Sequence, residues 1–471
     1  MDDDLGYAWP QMEKLAQRGL TMLGEYLDTE TPRAALPLTA DLRQRVTRPP
    51  SAAPGDGDDL LELFFEAARA SQNLSSPRFM GYIPTGGLTS TALAQLLATA
   101  VNPYTALSHF SPALVAMEDG IMRWLCDLFG MPASAVGTMT TGTSLALLTA
   151  VVAARDARLD DDPRDGTAYV TAHTHHTVEK ALRIAGLTAD QLRVVACTPE
   201  GRMDPGAAAE LVAADRAAGL RPFLIVATAG TTATGRVDHL ADIGELAAAE
   251  RLWFHVDAAY GGGFLLTERG RLRLAGIERA DTITLDPHKS FFLAAGTGVL
   301  LTRQPRFLRT AFAQPGACLT DLAAASADTL PDYTDLGPEL TREFRGLRLW
   351  LPLHLHGTAA FTGALDRMLD LAEEAHRRLS AVPELDVDAP PDLSVVAFRL
   401  RGRSNDDNRA FLRRVNQSEE LFLSGADVDG VYTLRMAFLS QRLDRRHMES
   451  GVAVVLRALR EATGTAAPGA A

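Results

Sequence analysis

A lysine placed directly after an apolar strand can do chemistry that a surface lysine cannot. Lys289 stands in TITLDPHKSFF (282–292), behind the run TITLD and ahead of two phenylalanines. Held in such surroundings, an amine can lose its proton and attack a carbonyl. The same position also suits a lysine that merely closes a strand edge. Asp257 ends a second apolar strand in LWFHVDAAYGGG (252–263). In open α/β sheets ligands bind at that end, and a buried carboxylate there needs a cationic or hydrogen-bonding partner. A protonated ring nitrogen is one such partner; a simple turn cap is the alternative. In TMTTGTSLALL (138–148) a strand runs into Thr140, Thr141, Gly142, Thr143 and Ser144, and then into a helix. Free N–H groups at a helix start hold anions, although Ser and Thr are also ordinary N-caps. No lysine follows the glycine, so this is not the nucleotide-binding P-loop. Finally, TAHTHHTVEK (171–180) places His173, His175 and His176 within four positions. Imidazoles ligate metals, shuttle protons and offer a flat stacking surface.

Taken together, these stretches supply a phosphate cradle, a carboxylate for a ring nitrogen and a Schiff-base lysine. Those are the parts that a pyridoxal-phosphate site requires. Asp257 and Lys289 are 289 − 257 = 32 residues apart, about one strand–helix–strand unit. A metal reading of the histidines would need several ligands converging on one point. The three cysteines, Cys126, Cys197 and Cys318, show no such spacing. They read as buried, reduced thiols of a cytosolic protein, and no metal is expected.

The elements that must position these groups alternate along residues 84–352. The apolar runs VGTMTT, TAYVTA, RVVACT, FLIVAT, LWFHVD, TITLD and TGVLLT read as strands. Between them SLALLTAVVAARDA, HTVEKALRIAGL, PGAAAELVAADRAAG and LADIGELAAAE read as helices. That pattern predicts an α/β sheet covered on both faces. Residues 1–83 read as helices and extended connections too interrupted to build their own core. Residues 353–471 read as a smaller α+β domain. There a helix spans 357–380, SVVAFRL and YTLRMAFL are strands, NRAFLRRVNQSEELF (408–422) is a helix, and the tail ATGTAAPGAA is disordered. The whole chain has 471 residues, 46% of them hydrophobic and 22% charged, as in an ordinary soluble protein. A net charge of −13 disfavours a nucleic-acid partner, which clustered Lys and Arg would have to hold. The acidic start MDDDLGYAWP lacks a signal-peptide profile. No apolar run reaches the ~18 residues that span a bilayer. A cytoplasmic protein without membrane contact is expected.

With those residues in view, the chain resembles the group II pyridoxal-phosphate-dependent amino-acid decarboxylases, the family of aromatic-L-amino-acid, glutamate and histidine decarboxylases. The motifs that carry the resemblance are YIPT (82–85), SPALVAME (111–118), TTGTS (140–144), HHTVE (175–179), GTTATGRVD (230–238), HVDAAYGG (255–262), DPHKS (286–290) and DYTDLGPELTREFRGLRLW (332–350). The resemblance implies the type I, aspartate-aminotransferase-like transferase fold, with a large, mixed, mostly parallel sheet. It implies a homodimer in which residues 1–83 pack on the partner subunit. It implies pyridoxal 5′-phosphate on Lys289, with Asp257 at the ring nitrogen. His175 would stack on one ring face, and Ala259 would pack on the other. Thr143 and Ser144 would take the phosphate, with Asp286 and His288 close by, and Thr232 would meet the ring substituents. Family members often carry Asn where Asp286 stands. By resemblance, Tyr333 on a mobile loop within 314–338 protonates the substrate carbon after CO2 leaves. Arg345 orders the helix that follows. Thr85 contacts the substrate carboxylate. Tyr82, His109 and Phe110 wall the pocket, in part from a neighbouring subunit. The expected reaction is decarboxylation of an L-amino acid, an aromatic one in view of those rings. The rival reading is an oxidative variant that yields an aldehyde; the presence of Tyr333 and His175 argues against it. Transamination is a weaker rival, and a catalytically silent homologue is disfavoured by the intact Lys289 and Asp257.

Overall fold

The computed structural model of the chain describes residues 9–32, 36–160, 162–313 and 330–463. The first eight residues, Cys318, residues 314–329 of the expected loop and the tail from 464 onward lie outside the described residues.

The continuous apolar runs become a seven-stranded sheet: β1 (Val136–Thr140), β2 (Gly166–Thr171), β3 (Leu192–Val195), β4 (Arg221–Thr228), β5 (Trp253–Asp257), β6 (Thr282–Leu285) and β7 (Gly298–Thr302). Their spatial order is β1-β7-β6-β5-β4-β2-β3. The pairs among β2 to β6 are parallel. β7 runs antiparallel to both β6 and β1. The carboxyl ends of β1, β2, β4, β5 and β6 therefore share one sheet edge, and the start of β7 lies among them. Strands buried on both faces read as apolar runs rather than alternations because helices cover each side.

The helices before and within this sheet include α1 (Trp9–Leu27), α2 (Ala40–Val46), α3 (Gly57–Ala70), α4 (Thr89–Val101), α5 (Pro112–Leu128), α6 (Thr143–Leu159) and α7 (Thr177–Ile184). α3 starts at Gly57, three residues ahead of the apolar run LLELFF (60–65). Asp56 caps it there, accepting the N–H groups of Asp58 and Asp59. The small domain holds a second sheet, all antiparallel, of β8 (Leu385–Val387), β9 (Val395–Leu400), β10 (Ser424–Val428) and β11 (Val431–Ala437). β8 and β10 are not evident in the sequence, because each is short and carries an acidic residue. The helix expected over 408–422 runs instead from Asn405 to Gln417. It stops because Glu419 takes a left-handed backbone, φ 55°. Residues 78–82, ahead of the large sheet in the chain, pair with 422–424 of the small domain. The helix Thr358–Ser380 gives Phe361 and Leu365 to the large core and Met368 and Leu371 to the small one. No helix among the described residues is long and apolar enough to cross a membrane.

Candidate active site

The carboxyl edge of the large sheet holds a cavity of about 240 Å³. It is lined by residues that follow five different strands: Thr143 and Ser144 after β1, His175 after β2, Thr228 and Thr232 from β4 onward, Asp257 and Ala259 from β5 onward, and Asp286, His288 and Lys289 after β6. Of the ten residues expected from sequence to serve catalysis or cofactor binding, nine line this one pocket, and Tyr333 is the tenth.

Asp286 ties the cradle to the lysine. One of its oxygens accepts the Thr143 backbone N–H at 2.8 Å, at the start of α6. The other lies 3.0 Å from Lys289 Nζ and 3.6 Å from His288 Nε2. His288 Nδ1 donates to the Thr297 carbonyl at 2.7 Å, which fixes the ring. The carboxylate therefore sits at a positive helix end between two basic side chains, where it is offset electrostatically. Two pocket hydroxyls, Thr143 Oγ1 and Thr228 Oγ1, are buried without a hydrogen-bond partner. Buried orphan hydroxyls are rare, and here they suit the acceptor oxygens of a phosphate or ring substituent. β7 closes on this loop so tightly that a Cβ on Gly298 would lie 2.4 Å from the Gly142 carbonyl carbon. Only glycine permits that approach.

His175 Nδ1 is 3.3 Å from the Thr177 N–H, which donates to it, and 2.8 Å from Thr177 Oγ1. Its neutral ring therefore carries the proton on Nε2. Burial holds its pKa below the usual imidazole value, with Asp257 acting in the opposite direction. His176 lies against it, ring centroids 4.2 Å apart. His173 is turned elsewhere, to Asp429 at 3.4 Å. Among the described residues no cluster of three metal-ligating side chains occurs. Asp257 accepts the Ala259 N–H at 3.1 Å and faces the pocket from the end of β5. Tyr260 anchors this turn to the small domain: its hydroxyl is 2.8 Å from Ser394 Oγ and accepts the Ser394 N–H. His175 and Ala259 line the same cavity as the start of α6.

Tyr333 does not line this cavity within one chain. It begins a short 3₁₀ turn, is 2% exposed, and packs with Val115, Ala146, Leu300 and Leu308. The Arg342 guanidinium covers its ring at 4.3 Å, and its hydroxyl has no partner. Its sequence context suggested a lid, but the apolar surface of α6 captures it. Arg345, at the start of the following helix, pairs with Glu339 at 2.7 Å and donates to the Met139 carbonyl of β1.

The four expected substrate contacts do not line the cavity within one chain. Tyr82 is 56% and Phe110 55% exposed, and His109 is also exposed. Thr85 belongs to a strap whose neighbours Gly87 and Leu88 donate to Leu293 and Phe292, just past Lys289. Arg435 escaped notice in the sequence. It is 3% exposed and pairs with no carboxylate among the described residues. It donates to Ser424 Oγ and to the Tyr82 carbonyl at 2.7 Å, and burial pulls its pKa down to about 10. An arginine amid the apolar strand YTLRMAFL was the signal available.

Residues 45–401 match the pyridoxal-dependent decarboxylase conserved domain. An aromatic-L-amino-acid decarboxylase of Bacillus atrophaeus is 27% identical, over 95% of both chains. A phenylacetaldehyde synthase of Arabidopsis thaliana is 28% identical, over 86% of this chain and 87% of that one. The fold matches a crystal structure of Oryza sativa TDC with PLP and tryptamine, with a TM-score of 0.91 at 24% identity, covering 97% of this chain and 99% of the other. The matched domain spans more than half of the chain, and its cofactor chemistry agrees with the cavity at the sheet edge: this protein belongs to the pyridoxal-dependent decarboxylase family.

Proposed function

We propose that the protein removes the α-carboxylate of an aromatic L-amino acid as CO2 and releases the amine. The observation that carries this is the convergence of Lys289, Asp257, His175 and the start of α6 on one cavity. Bound pyridoxal phosphate supplies an electron sink for the pair left behind when CO2 departs. Lys289 provides the amine that attaches the cofactor. Asp257 holds the proton on the ring nitrogen. Thr143 and Ser144 take the phosphate beside Asp286 and His288, and Thr232 borders the ring. His175 and Ala259 confine the ring from its two faces. His175, protonated on Nε2, would offer a neutral donor in the cavity, because burial disfavours its cationic form.

At about 240 Å³ the cavity is smaller than the ~300 Å³ at which ligand pockets usually begin. It accommodates cofactor more readily than cofactor plus an aromatic side chain. The remaining wall therefore comes from elsewhere, and a second copy of the chain supplies it. The exposed rings of Tyr82, His109 and Phe110 suit that role, with Thr85 toward the substrate carboxylate. α4 exposes Leu93, Leu97 and Val101, spaced four residues apart along one helix face. α1 and α3 add Trp9 and Phe64, 76% and 63% exposed. Apolar surface of this kind marks an interface. No arginine lines the cavity among the described residues, which argues against a substrate with a second carboxylate.

The oxidative reading keeps one specific support. With Tyr333 buried, the described pocket holds no tyrosine hydroxyl free to protonate carbon, and one relative is an aldehyde synthase. Incubating the cofactor-loaded enzyme in air with a panel of L-amino acids separates the two. Amine and CO2 in equal amounts without peroxide are expected, with the aromatic substrates fastest. Aldehyde with peroxide would replace this reading by the oxidative one.

A further inference from the structure

β5 and β6 lie side by side, His255 opposite Thr282 and Asp257 opposite Thr284. Side chains alternate along a strand. Trp253, His255 and Asp257 therefore share one face of β5, and Thr282 and Thr284 share one face of β6. All five are buried; apart from Asp257, none is more than 1% exposed. Their polar atoms form a continuous row. Trp253 Nε1 is 2.9 Å from Thr282 Oγ1, which is 2.9 Å from His255 Nδ1. His255 Nε2 is 3.4 Å from Thr284 Oγ1, which is 3.3 Å from Asp257 Oδ1.

The row has a direction. An indole N–H only donates, and an ionised carboxylate only accepts. Trp253 gives its proton to Thr282, so the Thr282 hydroxyl gives its own to His255 Nδ1. A neutral imidazole has one N–H, and it must then be on Nε2. Nε2–H points at Thr284 Oγ1, and the Thr284 hydroxyl donates to Asp257. Reversing the order would aim two N–H groups at Thr282 and deprive Asp257 of the Thr284 proton. The ring is neutral, because complete burial pulls the His255 pKa down to about 3. Threonines and a histidine in a buried strand pair could equally be satisfied polar groups with no further effect. What sets this row apart is where it ends: on Asp257, which lines the cavity at the end of β5.

We propose that His255 and Thr284 are positioning residues for the cofactor's ring nitrogen, delivering a hydrogen bond into Asp257 that keeps its carboxylate ionised and aimed at that nitrogen. This rests on the placement of Asp257 opposite the ring nitrogen given above. A hydrogen bond to the charged form of an acid favours that form. Without it the carboxylate is held less firmly toward the ring nitrogen, that nitrogen keeps its proton less well, and the ring is a poorer electron sink.

The test uses pyridoxal phosphate labelled with 15N in the ring, bound to the full-length protein. Thr284→Val removes the hydroxyl but keeps the branched shape; Thr284→Ser keeps the hydroxyl. In Thr284→Val the ring-nitrogen resonance is expected to move toward the unprotonated position. The cofactor's dissociation constant from the protein is expected to rise about tenfold, as for the loss of one hydrogen bond to a charged group. Thr284→Ser restores both. Asp257→Asn serves as the control. If Asp257→Asn moves the resonance and Thr284→Val does not, the relay is overturned while the placement of Asp257 stands. If neither moves it, the placement itself fails. Should Thr284→Val not fold, the histidine 15N spectrum of the wild-type holoenzyme gives the reading. A buried ring protonated on Nε2 and bare on Nδ1 is expected; protonation on Nδ1, or a charged ring, overturns the relay.

Discussion

The Tyr333 hydroxyl is buried with no hydrogen-bond partner beneath the Arg342 guanidinium. Burying an unpaired hydroxyl costs free energy, so deleting it removes a penalty rather than a bond. Tyr333→Phe is expected to keep stability within about 1 kcal/mol of the parent, or to raise it, and to leave the ratio of amine to aldehyde unchanged. Thermal unfolding and product analysis on the same preparation check both; diversion toward aldehyde would return the residue to the chemistry. At this scale the sequence was legible where a residue's role follows from the end of a strand. Lys289, Asp257, His175 and Thr143 each come directly after an apolar run, and sheet topology brings such positions together. The packing of Tyr333 was illegible because its motif gives its neighbours in the chain and not its neighbours in space. Arg435 was missed because nothing in YTLRMAFL shows that the strand is buried at the arginine.

Among the elements, α5, β1 and the segment before the helix Gly346–His356 meet at one buried carboxylate. Glu118 pairs with Arg342, both 5% exposed or less, and also accepts the Gly346 N–H at 3.1 Å. Arg342 in turn donates to the Met139 carbonyl of β1, three residues before Gly142. Removing one partner of a buried pair strands the other charge. Glu118→Ala is expected to cost roughly 3–5 kcal/mol of stability. Urea unfolding measures it, and a loss under about 1 kcal/mol would show that solvent reaches the pair. The sequence displayed all seven strands of the large sheet, because apolar runs bounded by turn residues survive any context. It hid β8 and β10, which are short and whose Asp386 and Asp427 are exposed. Helix ends shifted by a few residues wherever a cap or a left-handed residue decided them, as at Asp56 and Glu419.

For the whole molecule, the unmatched apolar face of α4 and the undersized cavity point the same way. Leu97→Glu places a charge in the middle of the stripe Leu93, Leu97 and Val101. Sedimentation is expected to show a dimer for the parent and a monomer for the variant. Decarboxylation should fall at least tenfold while the circular dichroism of the fold is kept. A fully active monomer would mean that one chain completes its own pocket. The sequence hinted at this arrangement only through an N-terminal stretch without a core; which surfaces remain bare is a property of the folded chain. The antiparallel β7 has a consequence of another kind. Val136 pairs with Thr302, and the two are 302 − 136 = 166 residues apart. Pairings between distant residues form slowly, because a long loop must close first. While the chain is being synthesised, the cradle before α6 lacks its neighbouring strand until residue 302 has left the ribosome. The ligand's mass-action stabilisation is therefore expected to reach the protein only once the sheet has been sealed.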